Sequence, residues 1–316
     1  MPTTEPAPGG QQDYVETPFT GHLRVKLSEA CSGKPQTLFA LIDGARVPKL
    51  WVTLHELEIE HVPLFRESPT EDIIHVTPFL VRVDPAGLMP VWLTMEQVAL
   101  ETALFLTAEA GLQELLTHFR RYLLIRDAAG KPVYFRFYDA RVLPAFLEAA
   151  TPGEARGFFG AVRRFFVWDS AGGTKESQVV FRGWSLPPEA QALPLPAPPD
   201  VHHPFQLRPK MEGAFSEVAV ESYDRRCVAY LRERHGVRLG GASDEELRAL
   251  VNRAKQIGSE IGLPSGRDAT RLAELLVVGF TDDMRRRLIE TQPKDRSREL
   301  EQMRDRSASA SQGGPA

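Results

Sequence analysis

The chain has 316 residues, a formal net charge of -4 and a sequence pI near 6.1, with 42% hydrophobic and 25% charged residues. That balance excludes wholesale disorder, leaves room for two domains, and argues against a general nucleic-acid binder, which carries a basic surplus. The two cysteines, Cys31 and Cys227, make neither a disulfide framework nor a zinc pattern, and no apolar run has the length of a membrane span. With no basic-then-apolar leader either, a cytoplasmic chain with free thiols is expected.

In chain order, residues 1–20 are rich in Pro, Gly, Thr and Gln and read as a disordered leader. "TLFALIDGA" (37–45) is a short apolar run ending in Asp-Gly, a buried strand whose Asp43 caps the next helix after a turn at Gly44. That helix is "RVPKLWVTLHEL", and "VTPFLVRVD" (76–84) and "TALFLTA" (102–108) are further strands. Leu112, Leu115, Leu116, Phe119 and Leu123 share a helix face, with His118 off it and expected on the surface. The segments flanking "DAAG" form a hairpin.

"VYFRFYDARVL" (133–143) alternates, which puts Val133, Phe135 and Phe137 on a core face and Tyr134, Arg136 and Tyr138 on the other. Asp139 takes the N-cap position. Arg141 then sits in a first turn where the helix dipole disfavours it, so it needs a carboxylate partner, Asp139 or another. Two helix-like segments follow, then "RRFFVWD" and "SQVVFRGW" as strands, with Gly172-Gly173 turning a hairpin between them. Residues 21–186 therefore read as an α/β domain, a mixed sheet with interleaved helices.

Residues 187–211 form a Pro-rich linker, with eight prolines in the 24 residues from 187 to 210. It is an extended connector or a strap on a surface, and His202 and His203 in it are expected in solvent. Residues 212–303 read as a small all-α domain of three or four helices. Ser243 and Glu246 make a capping box, Asp268 caps the next helix, and Asp282 and Asp283 open the last. Residues 304–316 read as a disordered tail.

No metal-ligand spacing, P-loop, dinucleotide fingerprint or nucleophile elbow occurs, so no catalytic residue, metal or cofactor is assigned. The arginine clusters at 120–121, 163–164 and 285–287 read as solvated faces. Two alternatives stay open. One is a phosphate-ester hydrolase or toxin domain, which requires Asp43 and Asp139 to converge. The other is a nucleic-acid module using the arginine clusters.

"FRFYDARVLPAFLEAATPGEARGFFGAVRRFFV" (135–167) resembles the signature of the type VI secretion adaptor family. The resemblance extends to "LFALIDGA" (38–45) and "LLTHFRRYLLIRDAAGKPVYFRFYDARVL" (115–143), and covers roughly residues 37–170. Many members carry proline where this chain has Ala140, while Arg136, Tyr138, Asp139 and Arg141 are in place. What the resemblance implies is a non-enzymatic chaperone that binds the N-terminal region of an effector and the C-terminal end of a VgrG spike, with no nucleic acid or membrane partner. Asp43, Gly44, Arg136, Tyr138, Asp139 and Arg141 would form the motif network. Tyr134, Arg136 and Tyr138 are the candidates for meeting a partner.

Overall fold

The structure, a computed structural model, describes residues 17–31, 36–65, 71–95, 97–169, 180–200 and 202–312. It divides into two compact units, Met1–Phe215 and Ser216–Ala316. The first begins with helix α1 (Pro18–Ala30), so the expected leader ends before residue 20. Thr17 and Thr20 exchange side-chain-to-backbone hydrogen bonds of 3.2 Å each, and Pro18 opens the first turn, which together start a helix there. Residues 1–16 of that segment lie outside the described residues, as do Gly172 and Gly173.

The elements that follow are β1 (Thr37–Asp43), α2 (Leu50–Glu56), β2 (His61–Pro63), α3 (Glu71–Ile74), β3 (Pro78–Arg82), α4 (Met89–Met95), α5 (Gln97–Thr102) and β4 (Leu104–Ala108). Then come α6 (Leu112–Arg120), β5 (Leu124–Arg126), β6 (Pro132–Tyr134), α7 (Val142–Ala149), α8 (Pro152–Phe159), β7 (Val162–Trp168), β8 (Phe181–Ser185) and α9 (Pro188–Gln191). Six strands form one sheet in the order β2-β3-β1-β4-β7-β8, every pairing antiparallel, and β5 and β6 form a separate hairpin.

Both faces of the large sheet are covered. Phe39 and Leu41 join Leu80, Leu104, Leu106 and Phe165 in one core, and Leu38, Ala40 and Ile42 join Phe79, Val81, Phe105 and Phe166 in the other. A strand with two dry faces has no use for polar alternation, which is why these segments read as continuous apolar runs. The second core is closed by Leu23 and Leu27 of α1, Leu50 and Leu54 of α2, and Trp92 of α4.

The first core is closed by α6, α7, α8 and the hairpin, and it is rich in phenylalanine. Phe158 is its hub, with ring centroids 5.0 Å from Phe146, 5.1 Å from Tyr122, 5.5 Å from Phe137 and 5.7 Å from Phe165. His118 is not a surface residue. Its ring nitrogen lies 2.7 Å from the Phe158 carbonyl oxygen, and its ring fills the space that a Cβ on Gly160 would enter at 2.7 Å.

The proline-rich stretch is a strap laid on this first unit. Ala190 and Leu207 are buried in the phenylalanine core, and the Phe205 ring stands 5.9 Å from Tyr122 and 5.8 Å from Phe146. The Arg126 amide donates to the Phe205 carbonyl at 2.9 Å, and the Leu207 amide donates to the Arg126 carbonyl at 2.8 Å. Arg208 then pairs with Glu154 at 2.8 Å.

The unit boundary falls inside α10 (Pro209–Leu239). Within the second unit, the later part of α10 is followed by α11 (Asp244–Glu260), α12 (Gly266–Val278), α13 (Asp282–Glu290) and α14 (Arg296–Gln312), so there are more helices than the sequence led one to expect. Ser243 and Glu246 do form the capping box. Asp268, however, does not cap α12. Ser265 does, accepting from the Asp268 amide at 3.1 Å, and Asp268 is buried inside the first turn. The expected tail is α14 as far as Gln312, with residues 313–316 outside the described residues. Leu300 and Met303 anchor it in the core, and its Ser/Ala/Gln end has adequate helix propensity without apolar periodicity to announce it. Among the described residues no helix is long and apolar enough to cross a membrane.

Candidate functional site

Two short acid-turn-arginine sequences meet at one corner of the first unit. The first is "DGAR" (43–46) at the end of β1. Asp43 is 2% exposed, and its Oδ1 accepts from the Ala45 amide at 3.0 Å, while its carbonyl accepts from the Arg46 and Val47 amides. Asp43 therefore closes a turn and does not cap α2, which starts six residues after Gly44 from a left-handed Lys49. Gly44 is required by close approach: a Cβ there would stand 2.4 Å from the Thr77 carbonyl oxygen. Gly44→Ala is accordingly expected to cost about 1–3 kcal/mol, because a backbone and not a flexible side chain must move. Urea titration followed by tryptophan fluorescence measures it.

The second sequence is "DAR" (139–141). The alternation at 133–138 does not become one strand, because β6 ends at Tyr134. Phe135 and Phe137 are buried, but Tyr138 is also buried, at 5%, whereas Tyr134 is 73% exposed. The expected ladder of Tyr134, Arg136 and Tyr138 on one face is therefore absent. Its physical reason is the partner strand: the chain before Leu124 is the turn that ends α6, so β5 offers only three residues to pair with.

Asp139 organises the turn that follows. Its Oδ1 accepts from the Arg141 amide at 2.9 Å and from Arg141 Nε at 2.8 Å, and Arg141 Nη2 donates to its Oδ2 at 2.5 Å. Its carbonyl accepts from the Val142 and Leu143 amides. The N-cap residue of α7 is thus Arg141, and Asp139 stands two residues earlier as the anchor of an Asx turn. Arg141 finds its carboxylate in Asp139.

The two turns are electrostatically one site. Asp43 feels Arg136, Asp139 and Arg46, and Arg46 feels Arg141, Asp139 and Asp43. Burial pushes the Asp43 carboxyl above its ordinary value. Burial also acts to raise Asp139, but the hydrogen bonds and charge of Arg141 outweigh it and hold that carboxyl below its ordinary value. Burial raises the Tyr138 hydroxyl, and its hydrogen bond from Arg136 Nε, at 3.4 Å, raises Arg136. Arg46 is lowered, first by burial and then by Arg141. Sequence reasoning singled out Asp43, Gly44, Arg136, Tyr138, Asp139 and Arg141 but missed Arg46. The signal for it was the recurring order, an arginine shortly after each turn-forming aspartate, at 46 after Asp43 and at 141 after Asp139.

Asp139 gives a pH prediction. Its folded-state pKa is depressed, so its stabilisation is present above the unfolded value and is lost as pH falls through the folded one. Asp139→Asn is expected to lose about 1–3 kcal/mol at pH 7, since Arg141 keeps a buried-side neighbour without charge. The variant should also show a shallower acid decline than the wild type below about pH 4. Thermal melts across pH 3–7 test both.

Among the described residues no group of His, Cys, Asp and Glu is placed to hold a metal ion. The arginine clusters are largely engaged: Arg120 donates to the carbonyls of Pro63, Leu64 and Phe65, Arg163 pairs with Glu109 at 2.8 Å, and Arg285 and Arg287 pair with Glu260 and Glu299.

Residues 38–157 match the family described as Domain of unknown function (DUF4123). The DUF4123 match starts on β1 and ends in α8, so it contains both turns of the corner and the β5–β6 hairpin between them. It leaves out β7 and β8, the strap and the second unit. No curated protein and no solved structure matches the chain.

Proposed function

We propose that the chain is a non-enzymatic adaptor of type VI secretion, binding the N-terminal region of an effector and the C-terminal end of a VgrG spike in the cytoplasm. The supporting observation is that the DUF4123 segment contains "LFALIDGA" and residues 135–157 of the stretch on which the adaptor resemblance rests, and that the acid-led turns of the two fold into one corner. In that corner the carboxylates have structural employment, on Ala45 and on Arg141. Arg136 and Tyr134 are exposed and available to a partner protein, and buried Tyr138 positions Arg136 from below. The test is co-expression with the effector and spike encoded beside the gene, followed by affinity capture and size-exclusion chromatography. A stable complex with both is expected. Capture of neither overturns the reading.

One observation favours the hydrolase alternative: Asp43 and Asp139 do share a corner with three arginines. It predicts turnover of bis(p-nitrophenyl) phosphate that disappears in Asp43→Asn. The adaptor reading predicts no turnover, and a fold as stable as the wild type in that variant, because an asparagine oxygen still accepts from Ala45 and the buried charge is gone.

A further inference from the structure

Among the described residues the outer face of the β5–β6 hairpin is uncovered and apolar. Hydrogen bonds in this hairpin run through odd-numbered residues, Phe135 N to Leu123 O and Asp127 N to Lys131 O. Leu124 and Tyr134 are therefore a non-hydrogen-bonded pair, with side chains together on the outer face beside Arg126 and Pro132, while Ile125 and Phe135 face the core. Leu124 is 54% exposed and Tyr134 73%. Beside them the strap and Phe65 raise walls, leaving a groove of about 400 Å3. Its size and mostly apolar lining suit a side-chain anchor.

The charge of this groove is opposite in sign to the chain. Among the described residues Arg121 and Arg126 line it against one acid, Asp200, with Arg120 beside them held by the carbonyls of Pro63, Leu64 and Phe65, in a protein whose net charge is -4. Asp200 is turned to its own loop, where it accepts from the His202 and His203 amides. Arg121 and Arg126 are exposed and form no salt bridge among the described residues. An apolar floor with two exposed arginines, Arg121 and Arg126, at its rim selects an apolar segment carrying carboxylates.

We propose that this groove is the docking site for an acidic, apolar segment of the partner protein, seated on Leu124 and Tyr134 with its carboxylates on Arg121 and Arg126. The proposal rests on the adaptor reading for the identity of the partner. The test uses the full chain and two fluorescein-labelled peptides, one alternating Leu and Phe with Glu and Asp, the other with Lys in place of each acid. Fluorescence polarisation should show binding of the acidic peptide and at least tenfold weaker binding of the lysine peptide. Arg121→Glu with Arg126→Glu, and separately Tyr134→Asp, should each weaken the acidic peptide at least tenfold with unchanged circular dichroism. Equal binding of both peptides, or variants that bind like the wild type, overturns the groove. So does a dimer of this chain that the variants dissociate, since the occupant would then be a second copy. The same variants are then used to capture the neighbouring effector and spike. Undiminished capture by the variants sinks the groove and leaves the adaptor standing. Peptide binding through the groove, with neither neighbour captured by the wild type, sinks the adaptor and leaves the groove.

Discussion

Phe158→Ala is expected to destabilise the first unit by about 3–5 kcal/mol, the range for emptying a buried aromatic site. Phe158 is fully buried, and rings from α6, α7, β7 and the corner segment all converge on it: Phe119, Phe146, Phe165, Phe135 and Phe137. Those elements arrive from different parts of the chain, so no single one can shift to fill the void without dragging its own neighbours. Phe158→Leu, which keeps most of the volume, should recover more than half of the loss. The measurement is favourable because Trp51, Trp92, Trp168 and Trp184 all precede the boundary at Phe215. Intrinsic fluorescence therefore follows the first unit alone, while far-ultraviolet circular dichroism follows both. A midpoint that stays within about 0.5 kcal/mol of wild type, the size of an ordinary surface effect, would show that the aromatic hub is not what closes this core.

Arg271→Ala is the corresponding expectation for the second unit, at about 3–5 kcal/mol. Arg271 and Asp268 side chains are only 4% and 7% exposed and lie 3.3 Å apart, and Arg271 also reaches Glu301 at 2.5 Å and the Ser297 hydroxyl at 3.1 Å. The cost comes less from the lost attraction than from leaving Asp268 buried and charged without its cation. The double variant Arg271→Met with Asp268→Asn removes both charges and keeps an oxygen for Ser297, which donates to Asp268 at 2.7 Å. It should be more stable than Arg271→Ala. The single variant should lower the dichroism transition and leave the tryptophan transition in place. If the double variant were the worse of the two, the ion pair itself and not the orphaned acid would carry the stability.

This network also shows where the sequence stops being informative. Asp268, three residues after Ser265, reads as a polar helix start, and the Ser297 and Glu301 of α14 that complete its network are joined to it by no local signal. Local signals gave the strands, because "LFALI", "LFLTA" and "RFFVW" are apolar whatever they pair with. They could not give the strand order or the fact that β5 runs out at Leu124. That missing partner turns "FRFYD" from a strand into a buried turn, although Phe135 and Phe137 face inward either way. The bond between Asp139 and Arg141 was legible because it spans two residues. The approach of Asp43 to the same corner was not, since nothing local joins the end of β1 to a turn almost a hundred residues later. The groove was invisible for the same reason: its floor comes from the hairpin and its wall from the strap.

The strap also sets a timetable for biosynthesis. Phe205, Leu207 and Met211 belong to a core begun at Phe39, and the outer bond of Arg126 waits for Phe205. Units generally fold as they leave the ribosome, N-terminal first. A nascent chain halted near residue 200 should therefore hold Tyr122 and Phe146 without their last ring neighbour, sticky enough to recruit a holdase. One halted well beyond residue 215 should be quiet. Ribosome-bound chains of graded length, probed by limited proteolysis, would place that change at the strap.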